Sequence, residues 1–185
     1  MGKLIFGINI TLDGCVDHTK GIPDEEAHDY WTDQMRRAGV LMYGRKTYEL
    51  MVPFWPDMAR NQSGITKSMN DFAKAFDAVE KIVVFSRTLD TVDNPKTTII
   101  STDLKEAVLK LKQEEGGDIL LGGVDIPSQL MEMDLVDEYR FVVQPLLAGE
   151  GRRLLEGIAL ADMLKLNLVE TKHFTSGSMA LHYVR

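Results

Sequence analysis

The chain has 185 residues, enough to bury one sizeable core and short for two ordinary domains. With 44% apolar and 26% charged residues, it has the composition of a folded globular protein rather than a disordered one. Its 21 Lys+Arg against 28 Asp+Glu give a net charge of −7, a field that repels nucleic-acid backbones and anionic lipid, so neither is an expected partner.

One domain over residues 1–185 is therefore expected. The single cysteine, Cys15, excludes an intrachain disulfide and a four-cysteine zinc site, and fits a reducing cytoplasm. His18, His28, His173 and His182 show no ligand spacing, so no metal site is expected; of the four, His18 and His28 are the candidates to face a cleft. No apolar run approaches the roughly 18 residues of a membrane span. The opening MGKLIFGINI is too short for a secretion signal, and no myristoylation serine or threonine follows Gly2.

In chain order, residues 3–10 (KLIFGINI) predict a strand, and TLDGCVDHTKG a turn and then a loop. From Pro23 the pattern becomes helical: Ala27, Tyr30, Trp31, Met35 and Ala38 form a stripe, Asp24 to Glu26 fill the first turn, and Arg36, Arg37 and Gly39 close the end. VLMYG (40–44) predicts a buried strand that runs straight into a helix opening, RKTYELM. The two prolines and two aromatics of MVPFWPDMARN predict a loop. Met69, Phe72, Ala73, Phe76 and Val79 stripe a second helix, followed by the strands KIVVFS and TTII. Leu104 to Leu111 predict a helix closing at Gly116–Gly117, DILL (118–121) a strand, and Pro127 to Met133 a short helix. YRFVVQPL, MLKLNLVETKHF and MALHYVR then predict successive strands. The order implies an α/β fold: a mixed, mainly parallel sheet with helices on both faces and antiparallel strands at its C-terminal end.

In such sheets ligands gather beyond the carboxyl ends of the strands. Three junctions there share a character. After VLMYG stand Gly44, Arg45, Lys46 and Thr47; after KIVVF stand Ser86, Arg87 and Thr88; after DILL stand Gly122, Gly123 and Val124. Glycine lets a backbone approach a ligand, helix starts offer free N–H groups, and arginine's fork suits a phosphate monoester. Each motif alone is ordinary. Together, on an acidic chain, they point to a long anionic ligand with two separated phosphate groups: one at Gly122 and Gly123, the other held by Arg45, Ser86 and Arg87. A dinucleotide with an extra ribose phosphate fits, so NADPH is preferred over NADH.

LMYGRKTYE, KIVVFSRTL and ILLGGVDIPSQLMEMDLVDEYRFVVQPLLAGEGRRLLEG resemble the dihydrofolate-reductase-like fold. More closely they resemble the C-terminal reductase domain of bacterial riboflavin-biosynthesis deaminase/reductases and similar stand-alone proteins. The resemblance spans nearly the whole chain and is most specific from Gly122 to Gly157. It implies an NADPH-dependent cytoplasmic homodimer that transfers hydride to a carbon–nitrogen or carbonyl double bond of a small heterocyclic or sugar-like substrate, in the manner of 5-amino-6-(5-phosphoribosylamino)uracil reductase. The implied cofactor residues are Gly44, Arg45, Thr47, Ser86, Arg87, Gly122, Gly123, Val124, Asp125 and Ile126, with Asp125 also able to act as a helix cap. The deaminase signature is missing. Dihydrofolate reductases hold the pterin with a carboxylate near the start of the first helix, where this chain offers Asp24, Glu25 and Glu26; folate reduction, or cofactor binding without turnover, are the alternatives. On the substrate side, Asp13 is the catalytic candidate, as substrate contact or proton donor beside water, or else simply a turn former. Tyr48 and Trp55 either wall the substrate pocket or fill the core.

Overall fold

The apolar runs become the strands of one continuous sheet. The computed structural model describes residues 1–22 and 24–185. Its strands are β1 (Leu4–Thr11), β2 (Ala38–Gly44), β3 (Lys81–Phe85), β4 (Thr97–Ile100), β5 (Asp118–Leu121), β6 (Glu138–Gln144), β7 (Asn167–His173) and β8 (Met179–Val184). They lie in the order β4-β3-β2-β5-β1-β6-β8-β7. Pairs among β1 to β6 are parallel, whereas β8 runs antiparallel to both β6 and β7. This is the mixed, mainly parallel sheet with antiparallel C-terminal strands that the sequence predicts.

Among the described residues six α-helices cover it: α1 (Glu25–Arg37), α2 (Arg45–Met51), α3 (Phe54–Asn61), α4 (Lys67–Ala78), α5 (Leu104–Gln113) and α6 (Asp125–Glu132). Their starts are chemically marked. Asp24, Thr66 and Asp103 accept the N–H groups of Ala27, Met69 and Glu106, so the first turns of α1, α4 and α5 do not lose these bonds to water. α1 also carries acids in its first turn and Arg36 and Arg37 in its last, complementing the helix dipole. Pro23, where the helical pattern begins, lies outside the described residues. The helix ends at Arg37, one step before the expected stop, because Ala38 and Gly39 already belong to β2.

The stretch predicted as a loop is instead α3. Pro53 precedes that helix and Pro56 stands in its first turn, where a missing N–H costs no hydrogen bond. Two prolines there punctuate a helix start rather than exclude a helix.

Strand alternation splits the core into two layers. Leu4, Phe6, Val40, Met42, Val83, Phe85, Ile119 and Leu121 face Val108 and Leu111 of α5 and Leu130 and Met131 of α6. Ile5, Leu41, Tyr43, Ile82, Val84 and Leu120 face Met35 of α1 and Phe72 and Phe76 of α4. Beyond β1 the sheet is fastened by the buried Glu138, which accepts from Lys3, Arg140 and His182 at 2.6, 2.9 and 2.9 Å and so ties β6 to β8 and to the start of the chain. Among the described residues, no helix is long and apolar enough to cross a membrane.

Candidate functional site

β1 and β5 are neighbours, yet their onward connections diverge. β1 leads through α1 to β2 on one side, and β5 leads through α6 to β6 on the other. Since α1 and α6 pack on opposite faces, the loops leaving these strands part at their carboxyl ends, the place where sheets of this kind take ligands.

The three motif-bearing junctions meet beside it. Arg45, the first residue of α2, donates from Nη1 to the carbonyl of Thr88 at 3.1 Å and to its hydroxyl at 2.9 Å, joining the loop after β2 to the loop after β3. Its Nε donates to Glu49 at 2.7 Å. A Cβ at Gly44 would lie 3.1 Å from Ile126, and one at Gly123 would lie 2.5 Å from the Thr47 hydroxyl, so the start of α6 sits directly on α2. Gly123 also takes φ +93°, a conformation that disfavours any side chain.

Ser86 is buried, and its hydroxyl accepts from the N–H groups of Thr88 and Leu89 at 3.2 and 3.0 Å. It shapes the turn that presents Arg87, and its own proton remains available to an acceptor. Arg87 itself is exposed. Val124 occupies the N-cap of α6 without a capping side chain, leaving the first-turn N–H groups of Asp125 and Ile126 without intrahelical acceptors. Asp125 is not that cap. It is the first helical residue, and it pairs with Arg152, whose guanidinium, together with the more distant Lys46, holds the carboxyl below its ordinary range.

The substrate-side candidates fare differently. Tyr48 is buried in the α1/α4 layer and donates its hydroxyl to Thr97 at 3.2 Å, so it is core rather than pocket wall. Trp55 is half-buried, with ring centroids 4.5 Å from Phe72, 4.9 Å from Phe54 and 6.3 Å from His28. The same cluster partly buries His28 and lowers its pKa by desolvation.

Asp13 is engaged on both oxygens. Oδ1 accepts from the Thr11 hydroxyl and, at 3.0 Å, from the Ala148 N–H; Oδ2 accepts from the Gly149 N–H at 2.8 Å. These bonds, the Thr11 one foremost, hold the carboxyl ionised far below its usual range. A group so held fastens the loop after β1 to the segment after β6 and has no proton to give near neutrality. Because its pKa is depressed by folding, its stabilisation is present above the unfolded value of about 3.9 and is lost as pH falls toward the folded one. The melting-temperature gap between the unaltered protein and Asp13→Ala is therefore expected to be full at neutral pH and to narrow as pH drops below about 4. A gap independent of pH would contradict the ionic role.

Motif reading passes over Arg152 and Arg153. Arg153 donates to the Asp13 carbonyl and carboxylate, and Arg152 reaches α6. Their signals in the sequence are a basic pair after two glycines and a place inside the stretch that carries the family resemblance most specifically. Among the described residues no three His, Cys, Asp or Glu side chains are grouped to hold a metal ion.

Comparison with known proteins shows the family and the fold. The RibD C-terminal domain model matches residues 2–180. The uncharacterized protein YyaP of Bacillus subtilis (strain 168) is 31% identical over 185 residues, covering 98% of this chain and 94% of that protein. Solved structures share the fold, among them the following two. A pyrimidine reductase-like protein of Corynebacterium diphtheriae has a TM-score of 0.69 at 13% identity, covering 99% of this chain and 91% of that one. A diaminohydroxyphosphoribosylaminopyrimidine deaminase/5-amino-6-(5-phosphoribosylamino)uracil reductase of Thermotoga maritima has a TM-score of 0.68 at 16% identity, and the 99% of this chain that aligns spans 56% of that longer one. With nearly its whole length matched by the family model, the chain belongs to the RibD C-terminal domain family.

Proposed function

We propose that the protein is an NADPH-dependent reductase acting on a small heterocyclic or sugar-like substrate, with an activity like that of 5-amino-6-(5-phosphoribosylamino)uracil reductase. The observation that carries this reading is the meeting of three loops, through the Arg45–Thr88 bonds and the Thr47–Gly123 contact, at the carboxyl edge of an acidic molecule.

The residues present suit such a cofactor. The N–H groups that open α6, approached over Gly122 and Gly123, would take the diphosphate. Arg87, with the Ser86 hydroxyl and Arg45 beside it, would take the ribose phosphate. When bound, the nicotinamide supplies the hydride. The chain's own residues orient donor and acceptor and exclude water, work that requires placement rather than one indispensable side chain. Asp13, held ionised, has no proton to give to the step that accompanies hydride transfer.

Folate is the weaker alternative. Asp24 Oδ2 accepts from Ser176 at 2.6 Å, and Glu26 accepts from the Thr175 N–H at 2.5 Å, so two of the three carboxylates near the start of α1 are already engaged. A cytoplasmic homodimer belongs to the same proposal: β7 is a sheet edge exposed along all its residues, with Leu168 and Val169 on the surface, and offers an isologous contact. The test follows the absorbance of reduced nicotinamide as phosphorylated aminopyrimidines and dihydrofolate are added. Loss with the aminopyrimidines supports the proposal. Loss with dihydrofolate alone supports the alternative, and cofactor binding without turnover across both classes would contradict a reductase.

A further inference from the structure

The helix that would receive a diphosphate begins with a negative charge. Asp125 stands at the first position of α6, in the turn whose N–H groups an anion needs, and a carboxylate there repels any phosphate brought to it. Arg152 answers that charge. Its Nη1 donates to Oδ2 at 3.2 Å and its Nη2 to Oδ1, a two-pronged pairing across 27 residues of sequence.

Arg152 is held there by the segment that follows β6. Leu146 and Arg152 accept through their carbonyls from the Leu12 and Val16 N–H groups at 3.0 and 2.8 Å, and Asp13 grips the Ala148 and Gly149 amides between them. Gly151 takes φ +102°, and a Cβ there would sit 2.7 Å from the Cys15 sulfur, so only glycine lets the segment lie this close. The loop after β1 and the strut after β6 thus form one unit that delivers a guanidinium to α6.

Stability does not explain the pair. Its side chains are 37% and 57% exposed, and exposed ion pairs add little to folding. We propose, resting on the cofactor reading above, that Arg152 is a positioning residue whose charge cancels that of Asp125 and keeps the N-terminus of α6 receptive to the diphosphate of NADPH. Asp13 serves the same end one step removed, by holding the strut.

Calorimetric titration of NADPH into the unaltered protein, Arg152→Ala and the double variant Arg152→Ala/Asp125→Asn tests this. Arg152→Ala is expected to weaken binding about tenfold by leaving Asp125 offset only by the more distant Lys46, with the melting temperature of the free protein nearly unchanged. Removing the carboxylate as well is expected to restore affinity to within about threefold of the unaltered protein. A double variant as weak as Arg152→Ala, or an Arg152→Ala variant that binds normally, would overturn the proposal. Failure of the unaltered protein to bind NADPH is a separate result: it overturns the cofactor reading and this inference with it.

Discussion

Arg87→Ala is expected to raise the NADPH dissociation constant by about 10- to 100-fold, the worth of losing a charge-assisted hydrogen bond to a phosphate. The dissociation constant of NADH, which lacks that phosphate, is expected to stay within about threefold. The asymmetry follows from where the charges are spent. Arg45 already serves Glu49 and Thr88, and the Ser86 hydroxyl already accepts two backbone N–H groups. Arg87 stands exposed on the turn these residues build. Arg45→Ala should therefore loosen the turn and weaken both cofactors, whereas Arg87→Ala should remove selectivity. Equal losses for NADPH and NADH in the Arg87 variant, measured by calorimetry, would refute the phosphate assignment.

The second large effect lies in the backbone. Gly123→Ala combines a conformation at φ +93° with a Cβ 2.5 Å from the Thr47 hydroxyl. Left-handed strain and overpacking together should cost roughly 2–4 kcal/mol. In a chain of this size that is about 5–15 °C in melting temperature. The same change pushes the start of α6 away from α2, so cofactor affinity should fall in parallel. Adding Thr47→Ala removes the clash but not the strain, and should recover part of the stability. A Gly123→Ala protein that melts with the unaltered one would show that the two loops do not press together.

Much of the fold is written locally. KLIFGINI, VLMYG, KIVVF and DILL are short apolar runs whose alternate residues fill opposite layers, and Asp-Glu-Glu at one end of α1 with Arg-Arg at the other marks both its limits. The three motif-bearing loops are legible because each follows such a strand directly. What stayed hidden depends on rotation or distance. Tyr48 and Thr47 are adjacent on α2, but one enters the core and the other meets Gly123, and only the docking of a seven-residue helix on the sheet decides which. In α3 two prolines mask a helix because their cost vanishes in a first turn. Asp13 looks like a turn former with a spare carboxylate until the chain returns, more than a hundred residues later, with two amides that occupy it. The Asp125–Arg152 pair is invisible for the same reason: nothing local couples a helix start to an arginine beyond the next strand.

The central claim, that separated turns assemble one receptor for a doubly phosphate-anchored cofactor, is tested most directly by melting the protein alone, with NADPH and with NADH. At about 100 times its dissociation constant, a ligand that binds only the folded state adds about 2.7 kcal/mol. For a chain of this size that raises the melting temperature by about 5–10 °C. The account predicts such a rise with NADPH and a smaller one with NADH at the same concentration; three coincident melting curves would contradict it.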